Sequence, residues 1–324
     1  MKYIKLASDI PEVSKLSLGT VFFGTDIKKQ DAFKQMDAFF EKGGNFIDSA
    51  RVYADWLPGG HGASDKTVGA WQNERKNRSS IVISTKGGHP DLKTMHIARM
   101  SPAEVRSDLE ESLVDLKTDY IDLYFLHRDD TSRPVEEILA MLEGFKKEGK
   151  IRHYGFSNWA LARMEEADKI AAAKGYEGFL CDQIRYSLGD LNLEAIEDKT
   201  CIAMDQPIFA YHEKSKKAVM AYTSTCNGYF PKKLKGKAVS PSHEAIYRNE
   251  SNKKFLERLP AWEKQYHINA AALVLAYVAA QSFPSIPIVA FSSLEQLEEV
   301  IPAGDFSFPK ELMDEIRGIK KFTY

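Results

Sequence analysis

The chain has 324 residues and a formal net charge of -2, with Lys and Arg dispersed apart from the short run Lys232, Lys233, Lys235 and Lys237. That balance excludes a general attraction to nucleic acid or an anionic membrane, and the longest run free of charge and strong polarity, residues 270–280, is too short to span a bilayer. Three cysteines without CxxC spacing, and no signal-peptide core in residues 1–18, predict a reducing, cytoplasmic setting for one domain over residues 1–324.

Residues 2–16 alternate loosely around Asp9-Ile10-Pro11-Glu12, which predicts a small hairpin ahead of the core. A buried strand over 16–20 and a helix over 31–42 follow, the helix carrying Phe33, Met36 and Phe40 on one face and stopping at Gly43. Next come a strand ending at Asp48, a glycine-rich loop over 55–62, a helix over 64–74 and a strand running into Lys86. Ser101-Pro102-Ala103-Glu104 then opens a helix, with serine as cap, proline in the first turn and glutamate placed to close a capping box.

The alternation continues with a strand ending at His127, a helix over 135–147, a strand over 151–157, a helix over 161–173 and a strand over 179–184. Residues 190–217 fit either a surface insertion or an irregular helix. A seventh strand over 218–222, a polar loop, helices over 249–266 and 269–280, an eighth strand over 286–289 and helices over 294–301 and from 309 complete the chain. Eight strands alternating with helices predict an α/β fold, a (β/α)8 TIM barrel with an N-terminal hairpin and an extra C-terminal helix.

Three of these strands end on ionisable side chains, Asp48, Lys86 and His127, and Tyr53 follows Asp48 by five residues. In a parallel barrel such strand ends share one rim. Taken singly, Asp48 reads as a cap, His127 as a core histidine, and Tyr53 and Lys86 as packing and solvated residues; their joint occurrence points to chemistry. An ammonium about 4 Å from a phenol, at an effective dielectric near 20, supplies roughly 4 kcal/mol towards ionising it. The expectation is therefore a phenol made acidic by Lys86, with Asp48 holding the ammonium and His127 orienting a carbonyl oxygen. The remaining histidines lack metal-ligand spacing, so no metal site is expected. Asp119 and Asp122 could suggest a glycoside hydrolase, but no second acid is tied to them by position.

Phe46-Ile47-Asp48-Ser49-Ala50 with Tyr53, Ser84-Thr85-Lys86, Leu126-His127, Gly155-Phe156-Ser157-Asn158, Gln183 with Tyr186-Ser187, and Met220-Ala221-Tyr222 occur in an order that resembles the aldo-keto reductase superfamily over nearly the whole chain. The resemblance implies reduction of an aldehyde or ketone, or the reverse oxidation, by NAD or NADP with Tyr53 as general acid. It implies cofactor contacts at Gly19, Thr20, Ser157, Asn158 and Gln183, stacking on Tyr222, and a loop from Thr223 and Ser224 along the pyrophosphate. Ser293, Gln296 and Glu299 would lie near the adenosine.

Trp56, Arg128 and Trp159 are expected as substrate-pocket residues, and polar loop side chains hint at a hydroxylated carbonyl such as a sugar. NADP-preferring members carry Lys or Arg after the eighth strand, whereas none occurs between Lys264 and Lys310 here. NADH is therefore expected to serve as well as or instead of NADPH, unless Lys232, Lys233 or Lys235 reaches over. The alternative is a nicotinamide-binding regulatory module with little turnover.

Overall fold

The computed structural model describes residues 1–322. A hairpin of β1 (Tyr3–Ile4) and β2 (Val13–Ser14) comes first, paired antiparallel. The apolar runs then form β3 (Ser17–Gly19), β4 (Phe46–Asp48), β5 (Val82–Gly87), β6 (Ile121–Leu126), β7 (Ile151–Ser157), β8 (Cys181–Arg185), β9 (Ala218–Tyr222) and β10 (Ser285–Val289). Each pairs in parallel with its neighbour, and β10 pairs with both β9 and β3, which closes the barrel.

Strand side chains alternate between two faces. Phe46, Val82, Leu123, Phe125, Cys181, Met220 and Ile286 fill the interior, and Val13 of the hairpin packs with them where the strands begin. Full burial of such a side chain contributes about 1.5–3 kcal/mol. The opposite parity, including Leu18, Ile47, Ile83, Tyr124 and Leu126, belongs to the outer core under the helices. Both faces are apolar, as expected of a sheet covered on both sides.

The first five helices are α1 (Lys29–Glu41), α2 (Ala63–Arg75), α3 (Pro102–Leu116), α4 (Val135–Lys147) and α5 (Leu161–Lys174). The box opening α3 forms as its sequence predicts: Glu104 N donates to Ser101 Oγ at 3.3 Å and Ser101 N to Glu104 Oε2 at 3.0 Å. Residues 190–217 resolve into a single 3-10 turn at Leu193–Ala195, a bridge between Arg185 and Ala203, and α6 (Gln206–Ser215). Asp205 caps α6 by accepting from Ile208 N at 2.8 Å.

The stretch expected as a polar loop after the seventh strand holds two short helices, α7 (Tyr229–Leu234) and α8 (Pro241–Tyr247). Burial of Tyr229, Phe230 and Tyr247 orders what its many lysines suggest would stay open. The remaining helices are α9 (Glu250–Tyr266), α10 (Ala270–Ala279), α11 (Leu294–Val300) and the extra C-terminal α12 (Lys310–Ile319). Among the described residues no helix is long and apolar enough to cross a membrane.

Candidate active site

Asp48 ends β4 on the inward parity two residues after Phe46, and Lys86 is inward on β5 by the same count from Val82 through Ser84. Both are completely buried, and Lys86 Nζ lies 2.8 Å from Asp48 Oδ2. The ammonium also donates to Ser49 O at 2.6 Å and to the Tyr53 hydroxyl at 2.9 Å. Tyr53 itself reaches Asp48 Oδ2 at 3.3 Å. Ser84 Oγ and Gln183 Nε2 donate to Asp48 Oδ1 at 2.8 and 2.9 Å, so the carboxylate's lone pairs are all engaged. His127 follows β6, and its ring stands edge-on to Tyr53 with centroids 6.1 Å apart.

The loop between Asp48 and Tyr53 is held from behind. Ser49 Oγ donates to the buried Asp65 at 2.5 Å, and Thr85 and Ser112 donate to the same carboxylate at 3.0 and 2.8 Å. This fixes the Ser49 carbonyl that Lys86 uses.

The electrostatics run against the expectation of an acidic phenol. Burial, then the charge of Asp48 and its hydrogen bond, push the Tyr53 hydroxyl well above its ordinary pKa; Arg128 opposes them. Lys86 is lowered by burial and raised again by Asp48. His127 falls well below the usual imidazole value through burial and the charges of Arg128, His89 and Lys86. The resting site thus holds a protonated phenol and a neutral imidazole whose buried Nδ1 has no partner.

Tyr53 and His127 open onto a cavity of about 240 Å³, walled by Val52, Trp56, Leu92 and Met95 and floored by His89, Arg128 and Asp198. Trp56 and Arg128, both expected as pocket residues, line this cavity. Trp159 does not line this cavity. It is fully buried, stacks on Phe156 with centroids 5.6 Å apart, and donates its indole N–H to Arg128 O, so it packs beneath the pocket floor.

Asp198 carries no signal in the sequence, and His89 only its distance from Lys86. His89 lies three residues beyond Lys86, after Gly87 and the left-handed Gly88, and its ring touches that of His127 at 4.8 Å. Its spacing from Lys86 along the rim is the one signal that could have marked it. Asp198 reaches the cavity because Arg128 Nη2 binds it at 2.8 Å while Arg128 Nε binds Thr200. Burial raises the Asp198 carboxyl, but Thr200 and Arg128 outweigh burial and bring it down to about 2.

The residues expected to hold a cofactor fall into three groups. Ser157 Oγ donates to Gln183 O at 2.7 Å, and Asn158 Nδ2 to Ser157 Oγ at 2.9 Å, beside Asp48 and its partners. Asn158 Oδ1 accepts from Tyr222 at 2.6 Å and from Ile202 N at 3.0 Å, so the segment 198–204 crosses directly over these groups. In the second group, Thr20 Oγ1 donates to Asp48 O, Ser224 Oγ to Ile288 O, and Gly19 packs against Ile288, while the buried Thr223 Oγ1 has no partner. The third group lies on and just before α11, where Gln296 accepts from Ser292 N and Lys235 reaches Glu299 at 2.7 Å. Ser293 precedes that helix without making a side-chain cap.

Amides and hydroxyls beside a phenol suit the carboxamide and ribose of a nicotinamide dinucleotide. Among the described residues no group of side chains could hold a metal ion.

The profile of the Aldo/keto reductase family matches residues 15–321. The chain is 28% identical to an uncharacterized oxidoreductase, YrpG, of Bacillus subtilis (strain 168), over 97% of this chain and 94% of that protein. It is 26% identical to norsolorinic acid reductase of Aspergillus flavus, over 96% and 78%. It is 25% identical to an aryl-alcohol dehydrogenase [NADP(+)] of Phanerodontia chrysosporium, over 93% and 81%. The crystal structure of a thermostable aldo-keto reductase, Tm1743, with the inhibitor epalrestat superposes with a TM-score of 0.70 at 21% identity, over 99% of this chain and 100% of that one, a likeness of fold. The chain belongs to the aldo/keto reductase family.

Proposed function

We infer that the protein reduces an aldehyde or ketone with a nicotinamide dinucleotide, Tyr53 delivering the proton. The observation that carries this is the Tyr53 hydroxyl at 2.9 Å from an ammonium that is itself fully buried against Asp48, with the phenol facing a small cavity. A dinucleotide held by Ser157, Asn158 and Gln183 would supply hydride to the carbonyl carbon. The carbonyl oxygen lies against Tyr53 and the N–H of neutral His127, two donors aimed where negative charge develops.

Tyr53 keeps its proton at neutral pH because of its raised pKa, so it is always loaded to protonate the nascent alkoxide. Lys86 contributes after that transfer, when its ammonium stabilises the phenolate; Asp48 holds it in position and Gln183 holds Asp48. In the reverse direction a phenolate is required, and it is scarce below alkaline pH.

The apolar walls at Val52, Trp56, Leu92 and Met95 suit an apolar or aryl body, and His89 and Arg128 suit polar substituents next to the carbonyl. Among the described residues, the lysines that reach α11 are both neutralised, Lys235 on Glu299 and Lys42 on Glu298, which supports use of NADH alongside NADPH. Tyr53→Phe is the test. Turnover should fall by about a hundredfold to ten-thousandfold while dinucleotide affinity, read by fluorescence titration, stays within about twofold. Full turnover in this variant would remove the phenol from the mechanism.

A further inference from the structure

Gly87-Gly88-His89-Pro90 carries the chain off the end of β5, and the left-handed turn at Gly88 sets His89 beside His127. The loop is held from two directions. Gly88 N donates to the buried Asp108 at 2.9 Å, and Arg99 bridges the same carboxylate, at 3.1 Å, to His89 O, also at 3.1 Å. His89 Nδ1 lies 2.7 Å from Pro90 O. A carbonyl oxygen can only accept, so the ring proton sits on Nδ1. Burial and the charge of Arg128 keep this imidazole neutral. Its Nε2 is therefore a lone pair on a fixed ring that lines the cavity, and no hydrogen bond from the described residues reaches it.

The charged groups beside it are engaged within the chain. Arg128 alone would suggest an anchor for an acidic substrate, yet each of its nitrogens already donates: Nε to Thr200 at 2.7 Å, Nη1 to His127 O at 2.8 Å and Nη2 to Asp198 at 2.8 Å. Asp198 balances the charge, and its Oδ1 accepts from the Thr200 N–H and hydroxyl at 2.9 and 2.5 Å. On the His127 ring the buried Nδ1 has no partner, which leaves the proton on Nε2, the nitrogen facing the cavity. Tyr53 and His127 thus offer donors for a carbonyl oxygen, and His89, its ring 4.8 Å from that of His127, offers an acceptor next to them.

We propose that His89 Nε2 accepts a hydrogen bond from a hydroxyl on the carbon next to the substrate carbonyl, so that the site selects α-hydroxy aldehydes and ketones. The assignment rests on the carbonyl reduction argued above and names the substituent that the pocket reads. A hydroxyl brings the proton that Nε2 lacks. A carboxylate in the same place brings only lone pairs, set against the Nε2 lone pair and the Asp198 charge, so α-keto acids are disfavoured although an arginine lines the pocket.

The test is kcat/KM of the full chain, with NADH and with NADPH, on matched carbonyls. Acetophenone, phenacyl alcohol and phenylglyoxylate share one aryl frame with methyl, hydroxymethyl and carboxylate beside the carbonyl; acetaldehyde and glycolaldehyde repeat the first comparison in a small frame. His89→Phe should lower kcat/KM about three- to tenfold for phenacyl alcohol and glycolaldehyde, the worth of one hydrogen bond, and leave acetophenone and acetaldehyde within about twofold. Phenylglyoxylate should stay level or rise. His89→Gln, whose amide oxygen reaches the place of Nε2, should recover part of the loss. Melting curves of both variants, and turnover of acetophenone by each, check that the site is intact.

Equal losses on the hydroxylated and plain carbonyls would overturn the proposal and leave His89 as a support for His127. So would unchanged kcat/KM on every substrate, or a loss confined to phenylglyoxylate, which would make the ring a donor. A wild-type chain that reduces none of these carbonyls with either dinucleotide would instead overturn the carbonyl reading on which the proposal depends.

Discussion

The two halves of the rim differ in how their polar groups are satisfied. On the side of β4 to β6, Asp48, Lys86, Ser84 and Tyr53 saturate one another, with Gln183 reaching across from β8 to complete the set. On the side of β8 and β9, Arg185 Nε and His243 Nδ1 are buried with nothing to receive them. The first half is complete before any ligand arrives, as preorganised chemistry requires. The second half is complete only around something else.

The largest effect should come from breaking the saturated half. Lys86→Met leaves Asp48 buried and unpaired, so it should destabilise the fold by about 3–5 kcal/mol in denaturant titration as well as abolish turnover. Stability within about 1 kcal/mol of wild type would mean that the carboxylate is not buried as an ion.

The pH dependence sharpens the same contrast. With the phenol's pKa raised, oxidation of an alcohol should climb about tenfold per pH unit from neutrality upward, while reduction stays level. Because the His127 pKa is lowered, reduction should show no break near pH 6.5. An acid limb there, in single-turnover rates, would mean that the imidazole is protonated at rest.

In the open half the effects are smaller. Comparing kcat/KM for the two cofactors should find NADPH and NADH within about tenfold, since one missing charge-assisted bond is worth roughly that. Smallest should be Asp198→Asn, which loosens Arg128 on a partly exposed pair and should cost about 1 kcal/mol or less. In the wild type that contact is present above the ordinary carboxylate pKa and is lost as pH falls from about 4 towards 2. A pH-independent segment 198–204, followed by amide exchange of Ile202, would show that Asp198 does not hold it.

The barrel and the gathering of Asp48, Tyr53, Lys86 and His127 at one rim were legible because strand ends mark both. An apolar run that ends on a charged residue says where a strand stops and what it delivers, as at Asp48 and Lys86. The direction of the Tyr53 shift was not legible, since burial and the Asp48 charge outweigh the favourable cation only once depth is known. Trp159 misled because a tryptophan at a strand end looks the same whether it walls a pocket or props up its floor. The crossing segment was invisible for a different reason. Its attachments, Ile202 to Asn158 and Ala203 to Arg185, join residues far apart in sequence and have no periodic signature.

The hairpin's Val13 stoppers the barrel where its strands begin, and the interior above it is solid with Phe46, Val82, Leu123 and Phe125. Traffic is therefore directed to the opposite rim, where Tyr53 and His127 face the cavity. Two guests that share one doorway must queue: whichever lodges deeper enters first and departs last. On the proposed function, a dinucleotide held at the buried amides of Gln183 and Asn158 would lodge deeper than a carbonyl beside the exposed Trp56, and the expected order is dinucleotide before carbonyl, visible as one-sided product inhibition.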